Sequence, residues 1–133
     1  MAQENVELTH RVADAFNRRD LAAFLELIDP EVEFTTRFAS LEDDPQYRGH
    51  DGIREWWDDL LAIFPDLRYD VLEVRDSGDH GVSALRVRGH GVDSRTPLDE
   101  TLWFAWEARD GKVTWWRSFG TEVEALETAG LEE

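Results

Sequence analysis

Residues 51–76, DGIREWWDDLLAIFPDLRYDVLEVRD, change their hydrophobic period midway, and that change decides the fold class. Ile53, Trp56, Trp57, Leu60, Leu61 and Phe64 recur three and four residues apart, which lays them along one stripe of an amphipathic helix with Asp51 near its start. Pro65 ends that helix, because proline has no amide hydrogen to give and crowds the turn before it. From Leu67 onward the period is that of strands: LRYDVLEVRD, HGVSALRVRGHG, LDETLWFAWEA and KVTWWRSF, separated by turn clusters at Ser77 to Asp79, Asp93 to Pro97 and Arg109 to Gly111. They read as successive antiparallel strands.

Upstream, Leu8, Val12, Ala15 and Phe16 mark a helix over Val6 to Phe16, and Asp20 of NRRD is placed to cap a second helix from Leu21 to Ile28, stopped by Asp29-Pro30. VEFTTRF alternates as a first strand and ASLEDDPQYRG reads as a loop. Downstream, Thr121 and Glu124 match a capping box and Gly130 is placed to end a short last helix. Helices at one end and strands at the other make an α+β layout, and 133 residues without repeat or linker suit one domain, 1–133.

Composition narrows the partners. Thirty acids against fourteen Lys and Arg give a net charge of −16, a field that repels nucleic acid and anionic lipid surfaces. No apolar run approaches the roughly 20 residues of a membrane span, and MAQENVELTHRV lacks the basic start and apolar stretch of a signal peptide. With no cysteine to form a disulfide, a cytoplasmic location is expected. His10, His50, His80 and His90 show no ligand spacing and LEDDPQ lacks the calcium-loop pattern, so neither metal nor cofactor is expected.

The element order, with FNRRDLAAFLELIDPEVEF, YRGHDGIREWWDDL, RDGKVTWW and EALETAG, resembles the nuclear transport factor 2-like superfamily, in its SnoaL-like and ketosteroid-isomerase-like branch. The resemblance runs through nearly the whole chain and implies a cone-shaped roll: a strongly bent antiparallel sheet wrapped around three N-terminal helices, with a pocket in its mouth. That scaffold carries isomerases, cyclases, dehydratases, binding modules and adaptors, so function has to be sought position by position. By the resemblance, the isomerases' helix-borne Tyr corresponds to Val12, their general-base Asp to Thr36, and the protonated Asp of their oxyanion hole to Trp103, where SnoaL-like cyclases also keep their acid. Neither machinery is present, and no steroid isomerase activity is expected.

If Trp103 faces the pocket as its aligned position implies, residues two apart share its face, and Thr101 and Asp99 lean inward. The same alignment turns Arg86, Arg88 and His90 inward on the preceding strand, and Trp116 and Ser118 on the last. The expected pocket is lined by Phe16, Phe64, Trp56, Trp103 and Trp116, with Thr36 and Ser118 on its wall, Tyr47 over its rim, and Arg86, His90 and Asp99 converging at its polar end. His90, in RGHG, has three readings: a solvated strand end, a neutral imidazole oriented by Asp99 as general acid or base, or a hydrogen-bonding ligand contact. Arg86, if inward, would be an anion hook.

Phe104, Trp106 and Trp115 would then fall outside the cone, exposing roughly 450–750 Å² of aromatic surface. That predicts a homodimer through the sheet face. The expected function is binding of a small, largely apolar ligand with a polar or anionic end, with acid–base chemistry of isomerase, cyclase or dehydratase type left open against a non-catalytic binding or adaptor module.

Overall fold

Leu8, Ala13, Ala15 and Phe16 fall on one face of a helix over Ala2–Asn17 (α1) and are all buried. The computed structural model describes residues 2–35, 46–76, 78–92, 97–119 and 121–129. α1 ends in a Schellman closure: the Asp20 N–H donates to Ala15 O and the Arg19 N–H to Phe16 O, each over 2.9 Å. Arg19 takes the left-handed conformation there, φ 59°, where glycine is usual. Its guanidinium offsets that strain by donating to the carbonyls of Phe16, Pro65 and Leu67 at 2.9, 3.0 and 2.7 Å, which ties α1 to the start of the sheet. Asp20 caps the next helix, Leu21–Glu26 (α2), by accepting from Ala23 N at 3.0 Å.

The second helix is shorter than its sequence suggests. Ile28 already opens β1, Ile28–Thr35, which contains Pro30. The register of β1 slips between Ile28 and Glu33, so Pro30 sits where no ladder amide is required. Residues Gln46–Arg48, expected within a loop, form a three-residue strand, β2. The helix read from the opening stretch is α3, Gly49–Ile63, followed by β3 (Arg68–Asp76), β4 (His80–His90), β5 (Pro97–Arg109), β6 (Lys112–Phe119) and α4 (Glu122–Ala129).

The six described strands run β2-β1-β6-β5-β4-β3 in one sheet. The expected all-antiparallel ladder is mixed: β1 lies parallel to β6. That pairing joins strands separated by most of the chain, and no local signal marks it. The sheet's inner face holds α1, α2 and α3, the α+β roll expected from the element order; α4 packs on the outer face against β4, β5 and β6. Between helices and sheet lies an aromatic core. Phe34 and Trp116 rings sit 4.3 Å apart, Phe16 and Trp57 4.9 Å, Phe24 and Trp57 5.1 Å. Such ring pairs add about 0.5–1.5 kcal/mol beyond area burial.

Side chains alternate across the strands, and their parity positions everything that follows. On β4, Ser83, Leu85 and Val87 are buried toward the helices, while Arg86, Arg88 and His90 are exposed on the outer face. On β5, Leu102 and Trp106 belong to the helix-side core with Phe104 packed against it, whereas Ala105 and Trp103 belong to the cluster of Val82, Phe119, Ala125 and Leu126 under α4. β6 carries a bulge at Thr114: Glu107 pairs with Trp115, but Ala108 pairs with Val113. Trp116 consequently faces inward and Trp115 packs on the α4 side.

Candidate functional site

A cavity of about 100 Å³ lies between α1 and the inner face of the sheet. One wall is α1, through Leu8, Val12 and Ala13; the far end is aromatic, with Phe16, Phe24, Trp56, Tyr69 and Trp116. Leu85, Phe104, Trp106 and Val113 form the floor. Of the described lining residues only Asn5, Thr9 and Ser83 are neither apolar nor aromatic. A cavity of roughly 150 Å³ accommodates benzene, so this one has about two-thirds of that volume and takes a single small ring only where the side chains around it give way.

Its polar groups gather toward the β3–β4 hairpin. Asn5 Nδ2 donates to Asp76 Oδ1 at 3.0 Å and to the carbonyl of Gly78, and Thr9 Oγ1 donates to the Asn5 carbonyl at 3.0 Å. On the floor, the Trp106 indole N–H donates to Ser83 Oγ at 2.8 Å, both residues being buried. At the aromatic end Asn17 holds the edge of β3, giving its amide hydrogen to Tyr69 O at 2.8 Å and accepting from Tyr69 N at 2.9 Å. The Tyr69 ring stands edge-on to Phe16, 4.9 Å between centroids, and burial pushes its phenol well above the usual range. That phenol is the single titratable group among the described lining residues.

Phe16, Trp56 and Trp116 line the cavity as expected. Phe64 packs against the core at the end of α3, and Ser118 is buried opposite Phe104 in the β5–β6 ladder; neither is part of the described lining. Tyr47 stacks on Phe34 at 5.0 Å and 16° outside the lining, its phenol pushed up by burial and by Asp59 and Glu55. Thr36 lies outside the described residues.

The expected polar end is not assembled. Trp103 belongs to the α4 side, and with it Asp99, Arg86 and His90 fall on the outer face, because residues of one parity share one side of a strand. Arg86 and Asp99 do meet, as a bidentate pair at 2.8 and 2.7 Å, about half exposed. The guanidinium holds the Asp99 carboxyl below its ordinary range. An exposed pair of this kind is screened by solvent and contributes little to stability. His90 pairs with Asp66, not Asp99: its backbone N–H donates to Oδ1 at 2.7 Å and its ring Nδ1 lies 2.9 Å from Oδ2, bonds that hold the Asp66 carboxyl below its ordinary range. Gly89 packs closely beside it: a Cβ there would meet Asp66 Oδ1 at 3.1 Å and Leu67 Cα at 3.2 Å, a tight fit.

The aromatic patch expected on the outside is divided as well. Phe104 and Trp106 line the cavity and Trp115 packs against the cluster under α4, so the three rings form no common outer surface. Among the described residues no group of three or more His, Asp or Glu is placed to hold a metal ion, and no helix is long and apolar enough to cross a membrane.

The family model described as SnoaL-like domain matches residues 9–116. Among curated proteins none matches. Solved structures of the same fold include a nuclear transport factor 2-like protein from Burkholderia pseudomallei, 19% identical over 93% of this chain and 95% of that one, with a TM-score of 0.78. TerC co-crystallised with polyporic acid is 22% identical over 96% and 98% of the two chains, TM-score 0.78. A Catenulispora acidiphila protein with a ketosteroid isomerase-like fold, in complex with trimethylamine, is 17% identical over 95% and 94%, TM-score 0.76.

Proposed function

The chain belongs to the SnoaL-like domain family, and on that premise we propose that it acts as a single domain binding one small, largely apolar molecule in the cavity between α1 and the sheet. The observation that carries this reading is the cavity wall, where aliphatic and aromatic side chains enclose a space beside three polar groups. The TerC and Catenulispora proteins, each crystallised with a small organic molecule, support the same use of the fold.

Binding without acid–base chemistry is the version we favour. A general acid or base works best with a pKa near the operating pH, and the described lining offers no carboxylate, imidazole or amine, only a phenol that burial moves further away. Arg86 and Asp99 are paired with each other and His90 is hydrogen-bonded to Asp66, on the far side of the sheet.

Toluene is a suitable probe, followed by the indole N–H resonances of ¹⁵N-labelled protein. Saturable shifts are expected for Trp56, Trp106 and Trp116, with Trp103 and Trp115 unmoved, and Val12→Phe should abolish them by filling the space. No saturable shift, or an equal response in Val12→Phe, would overturn the reading.

A further inference from the structure

The hydrogen-bonding state of the three polar lining residues restricts what they can accept. Asn5 Nδ2 faces two acceptors, Asp76 Oδ1 and the Gly78 carbonyl. The carbonyl can only accept, so the amide nitrogen must occupy that side; both its hydrogens are then engaged and Oδ1 is left as an acceptor. The hairpin is held in turn by Gly78 N–H, which donates to Asp76 Oδ1 at 2.9 Å. Thr9 lies one helical turn on, on the same face, and gives its only proton to the Asn5 carbonyl at 3.0 Å, so its oxygen too can only accept. Ser83 differs: its oxygen receives the Trp106 indole proton at 2.8 Å, which leaves its own O–H to donate. Ser83 stands opposite Val74 in the β3–β4 ladder, two residues from the Asp76 that anchors Asn5, so all three groups serve one end of the cavity.

Two acceptors and one donor match a hydroxyl group, which gives one proton and accepts through its lone pairs. A carboxylate would bring lone pairs against those of Asn5 and Thr9, with the Asp76 carboxylate directly behind. An ammonium would have nothing to accept the Ser83 proton. A carboxylate also finds no counter-charge among the described lining residues, and burying an unpaired charge is costly. A pure hydrocarbon meets neither the remaining acceptor capacity of Asn5 Oδ1 and Thr9 Oγ1 nor the Ser83 proton.

We infer that the cavity selects an uncharged alcohol or phenol, its ring or chain against Phe16, Trp56 and Trp116 and its hydroxyl among Asn5, Thr9 and Ser83. This rests on the cavity being a ligand site. It also replaces the anionic end expected when Arg86 was placed inside.

The test is calorimetric titration with four probes of similar size: toluene, phenol, benzoate and benzylammonium at pH 7. Phenol should bind at least about tenfold more tightly than toluene, as expected when two or three buried hydrogen bonds are made or lost, and the two ions should not bind. Thr9→Val, which keeps the shape of the side chain but removes its oxygen, should reduce the preference for phenol over toluene several-fold. Equal binding of toluene and phenol, binding of benzoate or benzylammonium as tight as phenol, or a phenol preference untouched by Thr9→Val would each overturn the inference while leaving the cavity as an apolar site. If neither toluene nor phenol binds, the ligand-site reading itself fails and the inference falls with it.

Discussion

Replacing Ser83 by Ala removes one oxygen and with it the acceptor of the Trp106 indole N–H, 2.8 Å away. The volume lost is small, so the packing contribution is small. The electrostatic one is not, because Trp106 is 7% and Ser83 1% exposed and water does not readily replace the lost partner. A buried donor left unmet costs about 1–3 kcal/mol, with a central value of about 2. For a chain of this length each kcal/mol corresponds to roughly 3–5 °C in Tm, between the values for shorter and longer domains, so Ser83→Ala should lower Tm by roughly 6–10 °C. Urea unfolding should give a lower midpoint with unchanged slope, which separates lost stability from a change in denatured-state compactness. The cause is isolated by adding Trp106→Phe, which removes the donor as well. The double variant should be more stable than the sum of the singles requires, by about 1–2 kcal/mol, since partners in contact couple. Additivity within about 0.5 kcal/mol, or an unchanged midpoint for Ser83→Ala, would refute the reasoning.

Three further expectations concern the rest of the structure. Gly81→Ala would place a Cβ 2.2 Å from the Arg75 carbonyl and 2.6 Å from Trp106 Cζ2, so urea titration should show a loss above about 3 kcal/mol, beyond ordinary overpacking; a wild-type midpoint would contradict this. Arg86→Ala and His90→Ala should leave toluene and phenol affinities unchanged in calorimetry, because both side chains are on the outer face; a fivefold loss in either would return them to the site. The Asp66 carboxyl is held below its ordinary value by His90, so its contribution is present above about pH 4 and lost as the pH falls through the depressed value; the Tm difference between wild type and Asp66→Asn should close over that range, and a difference constant down to pH 2 would count against the pairing.

The elements were legible where the chain states them locally. The period change at Pro65 separates α3 from β3, and the cap read at Thr121 is present in its first half, with the Glu124 N–H donating to Thr121 Oγ1 at 3.4 Å while Thr121 Oγ1 donates to Glu124 Oε1 at 2.9 Å. Three features had no local signal: the parallel β1–β6 pair, a strand as short as β2, and a proline tolerated at a register slip. In the site, Asn5 and Thr9 were missed because a polar residue on a helix reads as solvated until it meets a partner, and that of Asn5 lies 71 residues away. The parity of β5 was another matter. Leu98, Leu102, Phe104, Trp106 and Ala108 make the even positions apolar except for Glu100, while the odd ones carry Asp99, Thr101, Glu107 and Arg109 beside Trp103 and Ala105. Alternation within the strand therefore points Phe104 inward, whereas counting back from Gly111-Lys112 to an aligned position turned Trp103 inward instead. A displacement of one residue exchanges the two faces entirely.

That parity can be tested by giving each position the carboxyl found in catalytic relatives of this fold. Phe104→Asp would set a carboxyl among Leu85, Trp106 and Tyr69, whose ring is 6.3 Å from that of Phe104. Desolvation raises the pKa of such a group, up to about 3–5 units when burial is complete. A raised folded-state pKa means that the folded chain keeps a proton the unfolded chain releases, so the variant should lose stability steadily as pH rises from about 4 towards 7. Trp103 and Phe104 are both half-buried, but a carboxyl at 103 lies on the outer face, whereas one at 104 meets the apolar cavity wall, so Trp103→Asp, though it sacrifices packing under α4, should add the smaller slope. Both variants lose a large ring, so the decisive quantity is the pH dependence of the unfolding midpoint relative to wild type rather than its depth. A slope in Trp103→Asp with none in Phe104→Asp would put the aligned position back in the cavity and the present lining on the wrong side of the sheet.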